Sequence, residues 1–205
     1  MKKTKILVIH GFNSGPGLKN EIIAQAFPGC EVVCPQLTGH PKQDEGILFN
    51  VLNSYESYDR HIIVGTSLGG FYAMYLASYV CNSQIDLNLS LYLINPSFSP
   101  HETLYKYKEQ KLINYKTGLE SEPLLDFDFS EFEKMKVFIS KYFGSIANTD
   151  MPVNVFIGTQ DEVLDFTEFL KFIEEVGVES HVYFESQDHH FADIKNVVES
   201  IKQLK

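Results

Sequence analysis

Six short runs rich in Val, Ile, Leu and aromatic residues recur along this chain, and most are followed by a segment whose apolar residues return at helical spacing. The runs are KILVIH (5–10), EVVCP (31–35), HIIVG (61–65), LYLIN (91–95), VNVFIG (153–158) and HVYFE (181–185). The helical segments are Leu18 to Phe27, Gln43 to Leu52, Gly69 to Val80, Asp165 to Val176 and Ala192 to Leu204. Short runs of this kind alternating with helical segments suit a parallel sheet covered on both faces, since a helix between two strands returns the chain so that they lie parallel. Such crossovers are right-handed, which puts helices on both faces of the sheet. The pattern predicts an α/β fold with a mostly parallel six-stranded sheet. At 205 residues the chain suits one domain, 1–205, with one sizeable core. Ligands of open sheets bind beyond the carboxyl ends of the strands, so function is sought in the residues that follow each run.

One segment breaks the alternation. Pro96 to Pro152 has no clear strand and is too long for a plain connection. Ser130 and Glu133 have the spacing of a capping box that opens a helix over EFEKMKVFISKYF, and ETLYKYKEQKLINY is a second candidate helix. The segment is rich in Tyr and Phe, so it reads as a cap insertion at about 97–150 that covers the strand ends and lends aromatic walls to a substrate pocket. For any single aromatic, burial in a satellite core is the more ordinary role.

Charge and cysteine content exclude several classes. Seventeen basic against 27 acidic residues give a formal net charge of −10, which opposes nucleic acid and anionic membrane as partners. No stretch approaches the roughly 18 apolar residues of a membrane span. The lysine-led start is followed by an apolar run, Ile6 to Ile9, that His10 and Gly11 cut too short for a leader, so a soluble intracellular protein is expected. Cys30 and Cys34 on one strand would be separated by about 13 Å at ~3.3 Å per residue, too far to bridge, and reduced thiols follow.

The third run leads into GTSLGG, where Gly65, Ser67 and Gly69 have the G-x-S-x-G spacing of a strained strand-to-helix turn. HIIV before it and GFYAMYLASYV after it supply the strand and helix that such a turn requires. A serine hydroxyl needs a base to become a nucleophile, and the base needs a carboxylate to orient it. The fifth run ends in GTQDEVLDF, where Asp161 is nearest the strand end; Glu162 and Asp165 suit the first turn of the next helix. The sixth run leads to Asp188, His189 and His190. After the first run comes HGFNSG, whose Phe12 N–H is placed to share an oxyanion hole with the N–H of Leu68. His10 reads as a hydrogen-bonded structural histidine, and Asn13 and Asn95 as candidate substrate-pocket residues.

The pieces HGFNSG, GTSLGGFYA, INPSF, YKTGLE, DEVLDF and DHHF lie in the order found in a known family. The chain resembles the α/β-hydrolases, most closely the small bacterial esterases of the YqiA type. The resemblance implies a three-layer α/β-hydrolase fold, with Ser67 as nucleophile, Asp161 as acid and His189 as base, since the family pattern is Asp-His, one residue, then Phe. It further implies hydrolysis of short acyl esters through an acyl-enzyme, no cofactor, a small-molecule ester as partner and a cytoplasmic location. Two positions depart from the family: Gln160 replaces a common glycine and His190 a small residue. Thioester or amide cleavage by the same groups, and a binding protein on a hydrolase scaffold without turnover, stay open as alternatives. A metal site of Asp188, His189 and His190 is weak, because adjacent side chains in an extended segment diverge.

Overall fold

The computed structural model describes residues 3–52 and 58–204. Its six strands are β1 (Thr4–Ile9), β2 (Glu31–Val33), β3 (Arg60–Thr66), β4 (Leu89–Ile94), β5 (Val153–Gly158) and β6 (Ser180–Glu185). They form one sheet in the order β2-β1-β3-β4-β5-β6, and every pairing is parallel. The helices are α1 (Leu18–Ala26), α2 (Pro41–Leu52), α3 (Leu68–Asn82), α4 (Pro100–Thr103), α5 (Asp126–Tyr142), α6 (Thr167–Val176) and α7 (Lys195–Lys202). No helix among the described residues is long and apolar enough to cross a membrane.

Side chains alternate along the central strands, and each set meets its own helices. Ile6, Val8, Ile62, Val64, Tyr92, Ile94 and Phe156 pack with Ile23 of α1 and Val197, Val198 and Ile201 of α7. Leu7, Ile9, Ile63, Leu91, Leu93, Val153 and Val155 point the other way, onto residues of α2, α3, α5 and α6. Helix α3 is buried around most of its circumference because it lies between the sheet and α5, with the Phe71 and Phe132 ring centroids 6.0 Å apart. The strand order runs outward from β1 to β2, then returns to β3 and continues to β6. That reversal leaves a crevice beyond the carboxyl ends of β1 and β3, where consecutive connections depart to opposite sides. The HGFNSG loop and the Ser67 turn both open there.

The atypical segment differs from the expected pair of long helices. ETLYKYKEQKLINY is helical only at its start, followed by a 3₁₀ turn at Tyr105–Tyr107. At Glu109 the backbone turns to φ 60°, which ends any helix there. The backbone then bonds across a strap rather than to itself: Glu109 N–H donates to Leu124 O at 2.8 Å and Ser121 N–H to Leu112 O at 2.8 Å. The Ser130–Glu133 capping box is not used. Helix α5 starts earlier, at Asp126, because the buried Asp128 carboxylate accepts the Leu125 N–H at 2.9 Å and also meets His40 Nδ1 at 3.1 Å. Through Phe132, Met135 and Ile139, α5 belongs to the helical layer on the α3 face. The strap between α4 and α5 is the part that passes over the strand ends.

Candidate active site

Ser67 stands between β3 and α3 at φ 54°, ψ −119°, a backbone conformation uncommon for any residue but glycine. Strain of this kind costs on the order of 1–3 kcal/mol and persists only where neighbours hold it. Here Ser67 N–H donates to Ile94 O at 3.0 Å, while Ser67 O accepts from Gly70 N–H at 2.9 Å and Ser97 N–H at 3.0 Å. The small residues of the motif follow from close approach. A Cβ on Gly65 would meet Gly69 O at 2.3 Å, and one on Gly69 would meet Ile9 O at 2.0 Å. Backbone is therefore packed against backbone around the serine, and the serine is turned toward the crevice.

Asp161 follows the end of β5, and its side chain is only 1% exposed. Its Oδ1 accepts the N–H groups of Val163 at 2.8 Å and Leu164 at 2.9 Å, and its Oδ2 lies 2.8 Å from His189 Nδ1. An ionised carboxylate only accepts, so Nδ1 carries the ring proton and Nε2 is the basic nitrogen. Asp161 thus pairs with His189 and not with His190, which is exposed. Glu162 does not serve a helix start: it accepts the His189 N–H at 3.3 Å. Asp165 does, accepting the Thr167 N–H at 2.8 Å, and hydrogen bonds from Thr167 hold its carboxyl below the usual range.

The loop bearing His189 is fixed from below. Asn95, expected in the substrate pocket, is 0% exposed and lines no part of it. Its Oδ1 accepts Gly158 N–H at 2.7 Å and its Nδ2 donates to Asp188 O at 3.0 Å, so it ties the end of β5 to the histidine loop. Two residues beyond His189, Phe191 adopts φ 46° and is fully buried in the layer of α1 and α7. That ring is the reason for an aromatic after Asp-His-x.

Ser67, Leu68, His189, His190, Phe12 and Asn13 open onto one cavity of about 500 Å³. The HGFNSG loop runs close along the serine, for a Cβ on Gly11 would lie 3.3 Å from Ser67 Cβ. Leu68 is the first residue of α3, where an N–H has no partner within the helix. His10 is structural in its contacts. Its Nε2 accepts the Leu37 N–H at 3.0 Å, so its Nδ1 carries the proton, donated to Gly11 O at 2.8 Å. Burial lowers its pKa, against smaller raising effects from its hydrogen bonds and Asp44, which keeps the ring neutral in that role. Cys34 also faces the cavity, but burial pushes its thiol up to about 11, away from the reactive thiolate. Cys30, Cys34 and Cys81 are free.

Asn13 lines the cavity at φ 51° and donates from Nδ2 to Ile113 O at 3.0 Å; its Oδ1 is buried without a hydrogen-bond partner among the described residues. Sequence reasoning passed over Ser97. Its hydroxyl, 4% exposed as a residue, also lines the cavity and has no partner among the described residues. INPSF offered no carboxylate, and only a search for neutral hydroxyls after β4 would have found it. From the strap come Leu104, Tyr107 and Tyr115, with the Tyr107 ring stacked 5.7 Å from that of Phe12. No group of three or more His, Cys, Asp or Glu side chains among the described residues is arranged to hold a metal ion.

Comparison with known proteins agrees with this architecture. The model of a family described as "Uncharacterised protein family (UPF0227)" matches residues 5–205. Among solved structures the chain is similar to Est1E from Butyrivibrio proteoclasticus, at 14% identity and TM-score 0.68 over 98% of this chain and 86% of that one. It is also similar to a monoacylglycerol lipase of Paleococcus ferrophilus, at 15% identity and TM-score 0.64 over 96% and 91% of the two chains. The metagenome-derived lipolytic enzymes LipS and LipT give 16% identity and TM-score 0.64 over 97% and 91%. At such identities the likeness establishes the α/β-hydrolase fold.

Proposed function

The chain belongs to the UPF0227 family and has the α/β-hydrolase fold, and from that premise we propose that it is a serine hydrolase of carboxylic esters with short acyl chains. The observation that carries the reading is a histidine oriented by a buried carboxylate, Nδ1 to Oδ2 at 2.8 Å, opening onto the same cavity as a serine at φ 54°. In the proposed reaction Ser67 Oγ attacks the acyl carbonyl carbon while His189 Nε2 takes its proton. The negative charge that develops on the carbonyl oxygen is met by the N–H groups of Phe12 and Leu68. Collapse breaks the ester bond, and His189 returns the proton to the departing alcohol. Water, deprotonated by His189, then attacks the acyl-enzyme, and the carboxylic acid leaves with Ser67 restored. Asp161 holds the ring and stabilises its charged form throughout.

A cavity of about 500 Å³ is within the range of small-molecule sites and accommodates a short acyl chain with its alcohol. The test is labelling by a fluorophosphonate probe with hydrolysis of 4-nitrophenyl esters of increasing acyl length. Labelling confined to Ser67, with turnover falling as the chain grows, is the expected result. An unlabelled protein that turns over no ester would instead be a binding protein on this scaffold.

A further inference from the structure

The cavity wall carries a charge opposite to that of the protein. The formal net charge is −10, yet the cavity is lined by Lys19, Lys106 and Lys116 and by no aspartate or glutamate among the described residues. Lys19 comes from the first turn of α1, and Lys106 and Lys116 come from the strap, one in its 3₁₀ turn and the other just after Tyr115. Convergence from a helix and the strap facing it is not a property of one charged helix face. Lys116 lies across the start of α1, where a Cβ on Gly17 would meet its Nζ at 3.0 Å. Lys19 Nζ donates to the carbonyl oxygen of His190 at 2.6 Å, a neutral acceptor. Among the described residues none of the three forms an ion pair, whereas Lys42, Lys108, Lys111, Lys134 and Lys136 each pair with a carboxylate elsewhere. Burial lowers the pKa of Lys19, the Lys116 ammonium adds to that, and Asp188 opposes it. Lys106 and Lys116 are exposed and lie over the Tyr107 and Tyr115 rings, 5.1 and 5.9 Å from their centroids. Three ammonium groups thus face a cavity whose wall carries no carboxylate among the described residues, an arrangement that draws an anion.

We propose that the cavity takes an ester bearing an anionic group, a carboxylate or a phosphate, held by Lys19, Lys106 and Lys116 away from the scissile carbonyl. The inference rests on the esterase reading above and adds the charge of its substrate. Two matched pairs locate that charge. 4-Nitrophenyl hydrogen glutarate against 4-nitrophenyl pentanoate places it on the acyl side, and the butyrate ester of 2-hydroxyethyl phosphate against butyl butyrate places it on the alcohol side. In at least one pair the anionic member should have a kcat/KM about tenfold or more above the neutral one, the scale of one hydrogen bond to a charged group. The preference should fall with added salt, shrink toward unity in Lys106→Gln/Lys116→Gln and persist in Lys106→Arg/Lys116→Arg. Lys19 stays intact because it also holds the His190 carbonyl. Equal or inverted preference in both pairs, or a preference that survives the double glutamine variant, overturns the proposal. Labelling of Ser67 and hydrolysis of the neutral esters would in that case leave the esterase reading standing, whereas a protein that neither labels nor hydrolyses any of the four would remove both.

Discussion

Asn13 and Ile113 are a hundred residues apart in the chain and joined by a hydrogen bond of 3.0 Å from the asparagine side chain to the isoleucine carbonyl. Beside it Asn114 Nδ2 donates to Ser14 O at 2.8 Å, and Tyr115 Oη lies 2.6 Å from Ser14 Oγ. The strap over the cavity is therefore bolted to the loop that carries Phe12, whose N–H the proposed reaction assigns to the oxyanion. Loosening the strap should be felt by the chemistry as well as by substrate choice. Asn114→Ala with Tyr115→Phe is expected to lower kcat several-fold and destabilise the fold by about 2–4 kcal/mol, because Asn114 Oδ1 also accepts the N–H groups of Lys116 and Thr117. Steady-state kinetics would count against this coupling if only KM moved.

Ser67→Ala should abolish probe labelling and reduce ester turnover by several orders of magnitude with the fold retained. Ser67→Gly makes a sharper comparison, because glycine accepts φ 54° without cost. That variant should be equally inactive yet more resistant to denaturant than Ser67→Ala by about 1 kcal/mol. Equal midpoints would show that the turn is not strained.

The two histidines should separate cleanly. His189→Ala is expected to remove nearly all turnover, and Asp161→Asn to lower kcat by about 10³–10⁴ because the ring loses its enforced tautomer. His190→Ala should keep most of the activity and alter substrate preference. Measured rates in the reverse order would transfer the base to His190.

His10 predicts a stability effect with acid. Burial places its folded pKa below the ordinary value of about 6.5, so below that value the unfolded chain takes up a proton more readily than the folded one. Its contribution is complete above about 6.5 and is lost as pH falls toward the lowered folded value, at a rate of up to about 1.4 kcal/mol per pH unit. Protonation would also leave Nε2 unable to accept the Leu37 N–H. Denaturant midpoints between pH 7 and 5 should fall less steeply in His10→Gln than in the parent; identical slopes would exclude His10 as the source.

Much of this molecule is legible in its residues because the signals are local. Short runs rich in Val, Ile, Leu and aromatic residues mark the six strands, and the glycines around Ser67 mark a turn in which backbone touches backbone. Ser-acid-His order along the chain points to the strand ends that the structure gathers around the crevice. Where the reading failed, the deciding partner was distant. Residues 102–115 have helical composition, but Leu112 and Glu109 find their bonds at Ser121 and Leu124, and no periodicity encodes that. Ser130 and Glu133 spell a capping box, yet Asp128, fixed by His40 from α2's entrance, starts the helix first. Asn95 looked like a pocket residue because it ends a strand; that it points beneath the histidine loop depends on Gly158 and Asp188, both far along the chain.

The return from β2 to β3 also shapes how the chain reaches its native state. β1 pairs with β3 across the intervening α1, β2 and α2, and the strand that leads to Asp161 joins β4 only after the whole strap and α5. Such pairings close long loops before they are rewarded, which makes a parallel sheet slow to assemble. Ser67, Asp161 and His189 hang from three different strands, so no half-built sheet can bring them together. On the proposed mechanism a partly folded chain of this kind is chemically silent, and recovered turnover would report the last pairing to form rather than the first.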